Sequence, residues 1–398
     1  MPAERTAAEI IADLGPVAER AEVAAAIEAL GTQGSRWRIP TPALVVDLDA
    51  FDRNVALMAE RAKAAGVALR PHAKSHKTSA LARRQIAAGA AGVCCAKLGE
   101  AEALAARGIG AILVTSPVVG ALAAERAARL ALANPDFALV VDHQDGVAEL
   151  AAAARALGAR IAVAIDIDPG LGRTGASSTD QVLAIAQAIA AKPALRFIGV
   201  QCYGGQWQHL DGAEARAAAV RQGMAPLRAT IAALTEAGFA PGLVTGGGTG
   251  TFAADTAEGV YNERQVGSYA LMDRQYRDCL GDDPDGAFEQ SLFVQAQVVS
   301  VNAPAWVTLD AGLKALATDG PAPVPAAGGR FAGCHYAFFG DEHGLLVRPQ
   351  GGAVARGERV ELVAPHCDPT FDRYDFVHLV RGDALVDIVR VDARGRAQ

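Results

Sequence analysis

Residues 70–78 read Arg70-Pro71-His72-Ala73-Lys74-Ser75-His76-Lys77-Thr78 and follow directly on the apolar run Val67-Ala68-Leu69. Lysine is rarely fully buried without a partner, so one at the exit of a buried strand points to chemistry. Desolvation lowers its pKa, and the neutral amine can then form a Schiff base with a carbonyl. Arg70, His72, His76 and Lys77 make the neighbourhood electropositive. Such a cluster is expected to depress the Lys74 pKa or to attract a phosphate. The plain alternative is a surface turn of solvated charges.

Four further segments carry residues suited to chemistry. Thr245-Gly246-Gly247-Gly248-Thr249-Gly250 follows the apolar stretch Leu243–Thr245. Successive glycines let backbone N–H groups approach an anion, so Gly247, Gly248, Thr249 and Gly250 are expected to hold a phosphate. The segment is neither a Walker loop nor a dinucleotide fingerprint, because the spacing differs and no Gly-Lys-Ser/Thr follows. Gly267-Ser268-Tyr269 adds a hydroxyl and another N–H. Asp168-Pro169-Gly170-Leu171-Gly172-Arg173-Thr174-Gly175 forms a tight loop that presents Arg173, a fixed cation with a planar donor fork. Gln201-Cys202-Tyr203-Gly204-Gly205-Gln206-Trp207-Gln208-His209 offers Tyr203 to stack on or bond a flat ring, and His209 as a general acid or base. In Pro365-His366-Cys367-Asp368-Pro369-Thr370, an extended backbone would turn His366 and Asp368 to one side and Cys367 away. An imidazole and a carboxylate can hold a divalent cation, with the oxygen ligand favouring Mg²⁺ or Mn²⁺. A structural turn is the simpler reading of that short motif, and lone arginines and histidines are most often structural.

The elements that must position these groups alternate. Apolar runs at Ala43–Leu48, Val67–Arg70, Gly92–Cys95, Ala111–Thr115, Phe137–Val141, Ile161–Ile167, Phe197–Tyr203 and Leu243–Thr245 are separated by alanine-rich segments of helical spacing, such as Asp52–Ala64, Ser79–Ala88 and Gly212–Ala237. Eight strands with helical connections predict an α/β fold built on a (β/α)₈ TIM barrel, whose reactive groups sit on the loops after the strands. The turn-rich stretch Gly281-Asp282-Asp283-Pro284-Asp285-Gly286 marks a boundary. Beyond it, alternating segments at Ser291–Val301, Trp306–Asp310, Gly344–Arg348, Arg359–Leu362 and Ala384–Val391 predict a C-terminal antiparallel β domain. The expected organisation is a helical extension over 1–38 packed on either domain, a barrel over 39–280 and a β domain over 288–398.

The 398 residues fit two domains. Net charge is −7, without the basic surplus of a nucleic-acid binder. No uncharged apolar stretch is long enough for a membrane span, and the first twenty residues lack a signal-peptide pattern, so the expected location is cytoplasmic. Six dispersed cysteines with no C-x-x-C pair are expected to be free buried thiols.

Taken together, the segments RPHAKSHKT (70–78), GVCCAK (92–97), DPGLGRTG (168–175), QCYGGQWQH (201–209), TGGGTG (245–250), GSYALMD (267–273), DAGLKA (310–315), DEHG (341–344) and PHCDPT (365–370) resemble the D-threonine aldolase and D-serine dehydratase family. That family lies within the alanine-racemase-like, fold-type III enzymes of pyridoxal 5′-phosphate (PLP). The resemblance implies a barrel plus C-terminal β domain in a homodimer with active sites near the interface. It implies that Lys74 is the PLP lysine and that the Thr245–Gly250 loop, Gly267, Ser268 and Tyr269 surround its phosphate. Arg173 and Tyr203 match the cofactor environment, His366 and Asp368 the metal ligands, and His209 a histidine near the reacting hydroxyl. The dehydratases place cysteine two residues after the metal histidine, whereas the aldolases show His-Cys-Asp, as here. The resemblance therefore implies a PLP- and divalent-metal-dependent aldolase acting on small D-3-hydroxy amino acids, with Mn²⁺ or Mg²⁺ as the metal. A D-serine or 3-hydroxyaspartate dehydratase and a non-catalytic PLP carrier are the alternatives. The chain departs from the family at Phe371-Asp372-Arg373-Tyr374, where a short polar and histidine-containing stretch is usual.

Overall fold

A computed structural model describes residues 5–281, 283–348 and 353–398. Position 282 of the expected boundary turn and positions 1–4 of the expected extension lie outside the described residues. One sheet consists of eight parallel strands: β2 (Ala68–Leu69), β3 (Val93–Cys95), β4 (Ile112–Val114), β5 (Ala138–Val141), β6 (Ile161–Ile167), β7 (Leu195–Cys202), β8 (Leu243–Gly246) and β9 (Glu263–Arg264). Their order is β2-β9-β8-β7-β6-β5-β4-β3, and a parallel bridge between His72 and Cys94 joins the two ends into a ring. Period-two alternation sorts the side chains. Cys94, Leu113, Ala138, Val140, Ala162 and Ala164 fill the ring. Cys95, Val114, Leu139, Val141, Val163 and Ile165 face the surrounding helices. The alanine-rich composition therefore has a geometric reason: the middle of a narrow ring accepts small side chains.

The ring corrects one reading of the sequence. Ala43–Asp47 (β1) is not a barrel strand. It pairs antiparallel with β10 (Leu292–Ser300) and parallel with β16 (Phe376–Arg381). The eighth barrel strand is instead β9, whose two residues are both charged. An apolar run reveals burial but not which sheet buries it, and a two-residue polar strand leaves no period to detect.

The second sheet also contains β11 (Trp306–Leu309), β12 (Val324–Pro325), β13 (Tyr336–Phe338), β14 (Gly344–Val347), β15 (Arg359–Val363) and β17 (Ala384–Arg390). Its main path is β13-β14-β11-β10-β1-β16-β17, with β15 joining β10 to β12. The helices Ala7–Leu14 and Ala21–Glu28 pack Ile10, Leu14, Val23 and Ile27 onto Val45, Phe293, Leu385 and Ile388 of this sheet. The first is closed by a capping box in which Thr6 and Glu9 exchange hydrogen bonds. No helix of the described residues is long and apolar enough to cross a membrane.

His378 of β16 is buried against β1 and bonds the Leu44 carbonyl through Nδ1 at 3.2 Å. Burial holds it neutral and lowers its pKa to about 4, while the Leu44 bond acts in the opposite direction. The unfolded chain takes up a proton on this residue below about pH 6.5 that the folded chain refuses until about pH 4. Stability is therefore full above pH 6.5 and declines as pH falls through that window, by up to about 3 kcal/mol from this group. Urea unfolding of wild type and His378→Gln at pH 7 and pH 4.5 checks this: the variant should lose less on acidification. Parallel losses would exclude His378 as the cause.

Candidate active site

Because the barrel strands are parallel, the loops after β2, β6, β7, β8 and β9 emerge at one end of the ring. The barrel segments 70–78, 168–175, 201–209, 245–250 and 267–273 lie at those exits, whereas 92–97 runs through β3 itself. Below them, the inward face of the strands turns polar. Gln201 donates to Asp166 at 2.8 Å, Gln265 donates to Gln201 and Thr245 at 3.1 Å, and Thr245 donates to Glu263 at 3.0 Å. Thr245 is thus held inside the barrel rather than on the glycine loop that follows it.

After β2, His72 caps a 3₁₀ turn, Ala73–Ser75, that carries Lys74. The charges around Lys74 are individually neutralised. Arg70 pairs with Glu263 at 3.0 Å, and Lys77 pairs with Asp372 at 2.8 Å and Glu100 at 3.3 Å. His72 and His76 are buried and neutral, with burial pushing their pKa values down to about 3 and about 4. The expected electropositive cluster is therefore absent, and so is its expected effect. Enclosure works against the Lys74 ammonium, but Asp368 lies in direct contact with its Nζ and holds the pKa above the ordinary lysine value. This carboxylate is 294 positions away in the chain.

Asp368 belongs to the 365–370 segment, which is not extended as expected. His366 is the cap of a short helix, Cys367–Phe371. The two polar side chains nevertheless converge, with His366 Nε2 at 3.8 Å from Asp368 Oδ1. Cys367 is buried but does not turn away as expected: its thiol donates to Asp368 Oδ1 at 3.1 Å and lies 3.5 Å from the Ser268 hydroxyl. The other imidazole nitrogen, Nδ1, is 2.8 Å from Asp319. Burial disfavours the Asp368 carboxylate, yet Lys74 and His366 outweigh it and hold its pKa below the usual carboxylate range. Asp273 fixes this segment to the barrel. Its buried carboxylate accepts from the N–H of Tyr276 at 3.0 Å and of Cys367 at 2.8 Å.

The glycine loop after β8 runs into a 3₁₀ turn, Thr249–Thr251. Gly247 adopts φ +71°, the left-handed region where glycine is favoured. A Cβ at Gly248 would lie 2.3 Å from Gln208 Oε1, and one at Gly250 2.2 Å from the Gln208 carbonyl. These glycines let the loop close against the segment after β7. The Thr249 hydroxyl accepts from the Tyr269 N–H at 3.0 Å, which ties the loop to the Ser268–Ala270 turn. Gly267 lies against the lysine turn, its Cβ position 3.3 Å from the His72 carbonyl. Tyr269 sends its ring into the core, where its hydroxyl accepts from Gln85 at 3.1 Å. Behind the loop, Arg264 is fully buried and none of its three side-chain nitrogens has a hydrogen-bond partner among the described residues.

After β6, Asp168 accepts from the N–H groups of Gly170, Leu171 and Gly172 at 2.8–3.1 Å and so shapes the loop. Arg173 then lies over Tyr203, 5.7 Å from its ring centroid. His209 packs beside Tyr276, ring centroids 4.6 Å apart. Desolvation, then the charges of His366 and Lys74, hold its pKa below the ordinary histidine value. Lys74, Tyr203, Arg173, His209, His366 and Asp368 thus form one electrostatic neighbourhood.

Comparison with known proteins agrees with this architecture. The alanine racemase N-terminal domain model matches residues 46–275, more than half of the chain, and the serine dehydratase domain model matches residues 291–380. The D-threonine aldolase of Arthrobacter sp is 41% identical over 360 residues, covering 90% of this chain and 93% of that protein. The chain belongs to the alanine-racemase-like family. The 3-hydroxy-D-aspartate aldolase of Paracoccus denitrificans strain Pd 1222 is 39% identical over 363 residues, covering 90% of this chain and 93% of that protein. The solved structure of the D-threonine aldolase from Filomicrobium marinum superposes with a TM-score of 0.87 at 40% identity, covering 91% of this chain and 98% of that one.

Within this alanine-racemase-like chain, Arg264 and three further residues of the site had no signal in the sequence. Asp319 orients His366, Asp273 anchors the turn, and Tyr276 backs His209. Each is a common residue type in an unremarkable context, and only the fold brings it to the site. Asp273 lies within the GSYALMD segment (267–273), but nothing local distinguishes it from an ordinary helix cap.

Proposed function

We propose that the chain is a PLP- and divalent-metal-dependent aldolase that cleaves D-3-hydroxy amino acids to glycine and an aldehyde. The observation that carries this reading is the contact of Lys74 with Asp368, which brings the lysine at the barrel mouth against a carboxylate that faces His366.

The residues present fit both groups. For PLP, Lys74 is the amine. The fully buried Arg264, which stacks 5.0 Å from the Tyr261 ring centroid and has no hydrogen-bond partner among the described residues, places a positive charge behind a glycine loop that has no room for side chains, as a phosphate cradle requires. For the metal, His366 and Asp368 form a mixed nitrogen and oxygen donor pair, and no group of three or more such ligands occurs among the described residues. Two protein ligands leave positions open for water or substrate, and a carboxylate donor suits Mn²⁺ or Mg²⁺.

When bound, PLP supplies an electron sink, and the cation supplies a Lewis acid that lowers the pKa of a hydroxyl. Lys74 holds the cofactor and gives up its place to the substrate amine. Asp319 fixes the His366 ring so that Nε2 faces Asp368 and the metal position. His209, kept neutral at pH 7, takes the β-hydroxyl proton. Loss of that proton opens the Cα–Cβ bond to an aldehyde, and protonation at Cα leaves glycine. Arg173, lying over the Tyr203 ring, and Tyr203 itself would flank the cofactor ring beside Lys74. A cytoplasmic homodimer acting on a small D-amino acid completes the reading, and sedimentation tests its oligomeric part.

The match of a serine dehydratase model to residues 291–380 favours a second reading, cleavage of the C–O bond. Product analysis separates the two. The purified protein is incubated with PLP, Mn²⁺ and a panel of D-3-hydroxy amino acids. Glycine and aldehyde in equal amounts are expected, whereas an oxo acid with ammonia would replace the aldolase by a dehydratase. No turnover of any member would sink both.

A further inference from the structure

Lys77 has no part in the mechanism above, yet it is the most constrained residue of the lysine turn. It is a non-glycine residue at φ +53°, a conformation that L-residues avoid, and it is buried. Three ties hold it there. Its N–H donates to the Ala73 carbonyl at 2.7 Å, closing the turn that carries Lys74. Its carbonyl accepts from the Ala393 N–H at 3.0 Å. Its ammonium reaches Asp372 at 2.8 Å and Glu100 at 3.3 Å.

Those partners come from both sides of the site. Glu100 lies in the barrel helix Leu98–Ala106 and accepts from the N–H groups of Ala96 and Lys97 at 2.8 and 3.2 Å. Asp372 closes the short helix that begins with Cys367, and its carboxylate also accepts from the Gly395 N–H at 3.0 Å. The C-terminal segment is in turn fixed to the barrel. Asp392 accepts from the Ser79 N–H at 2.7 Å, and the Gln398 carbonyl accepts from the Gly99 N–H at 2.7 Å. Lys74 meets Asp368, and Lys77 meets Asp372. Contacts recur one turn apart on both partners, so the outer pair sets the separation at which the inner pair faces one another.

We propose that Lys77 is a positioning residue: by joining Glu100 to Asp372 it holds the Lys74 turn and the His366–Asp368 turn in fixed register. The inference rests on the reading of Lys74 as the cofactor lysine and of Asp368 as a metal ligand. It differs from that reading in assigning a role to Asp372, which that reading leaves without one.

Three variants test it: Lys77→Met, Asp372→Asn and Lys77→Arg. Amide hydrogen exchange is followed in peptides covering 70–78, 366–373 and, as a control, the barrel strand 161–167. In Lys77→Met, exchange in the first two segments should rise about tenfold or more while the control stays unchanged, since a charged hydrogen bond is lost locally. In the PLP- and Mn²⁺-loaded enzyme, kcat should fall about 10- to 100-fold with KM within about threefold, the pattern of misplaced groups rather than lost binding. Asp372→Asn should reproduce both effects in weaker form, and Lys77→Arg should restore most of kcat. Unchanged exchange at both segments overturns the proposal. Exchange that rises equally in the control also overturns it, because Lys77 would then serve the fold as a whole. A wild-type protein that takes up no PLP would remove the proposed function, while the exchange comparison still decides whether Lys77 couples the two turns.

Discussion

Lys74→Ala is expected to fold normally, to hold no covalently attached PLP and to lose kcat by about 10⁴-fold or more, the scale of removing the covalent nucleophile of an enzyme. The fold should tolerate the change because the side chain is 37% exposed and the Asp368 carboxylate it leaves still faces His366. Its backbone tie to His72 is untouched by truncation. The measurement is the visible absorbance of lysine-bound PLP after reconstitution, together with turnover. A retained band would mean that another amine holds the cofactor. Lys77, the nearest alternative, is committed to two carboxylates.

The second large effect belongs to Asp368→Asn. This change preserves shape and removes the charge that faces both His366 and Lys74. Loss of an outer partner of a metal ligand already costs about 10- to 100-fold in affinity, so removing a ligand charge should cost at least that in Mn²⁺ binding. With only two protein donors, little else would compensate. Titration of the stripped protein with Mn²⁺, followed by electron paramagnetic resonance, measures the affinity directly. Turnover should fall by about 10²-fold or more even at saturating cation, because the hydroxyl would no longer be held against a properly bound metal. Unchanged Mn²⁺ affinity would place the metal elsewhere or dispense with it.

Both predictions concern residues that are legible in the sequence from their type and immediate neighbours. A lysine after an apolar run and a His-x-Asp between prolines need no fold to be noticed. What surrounds them is less legible, and the reasons are physical. The Lys74 environment reads as electropositive because four of its neighbours in sequence are basic, while burial keeps His72 and His76 neutral and the carboxylates that pair with Arg70, Lys77 and Lys74 (Glu263, Glu100, Asp372 and Asp368) come from distant segments. An extended backbone would bring His366 and Asp368 together, and a helix start does so instead. Ring membership is hidden because Ala43–Asp47 and the barrel strands share the same apolar signature, while Glu263–Arg264 is too short and too polar to carry any. The loops after the strands are easier to place, since a barrel collects its glycine-rich and charged segments at the strand exits.

The position of β1 has a consequence for how the molecule is made. This strand is synthesised before the entire barrel, yet both of its sheet neighbours, β10 and β16, are synthesised after it. The growing chain must therefore keep Leu44, Val45 and Val46, all fully buried in the finished protein, unpaired on one edge until β10 has emerged and on the other until β16 has. Contacts of such long sequence separation form slowly and leave a strand edge open meanwhile. The region beyond residue 288, produced alone, would expose the facing edges of β10 and β16 in the middle of its sheet. Vectorial synthesis and the architecture thus run in opposite directions, and the two halves of this enzyme are separable in description but not in assembly.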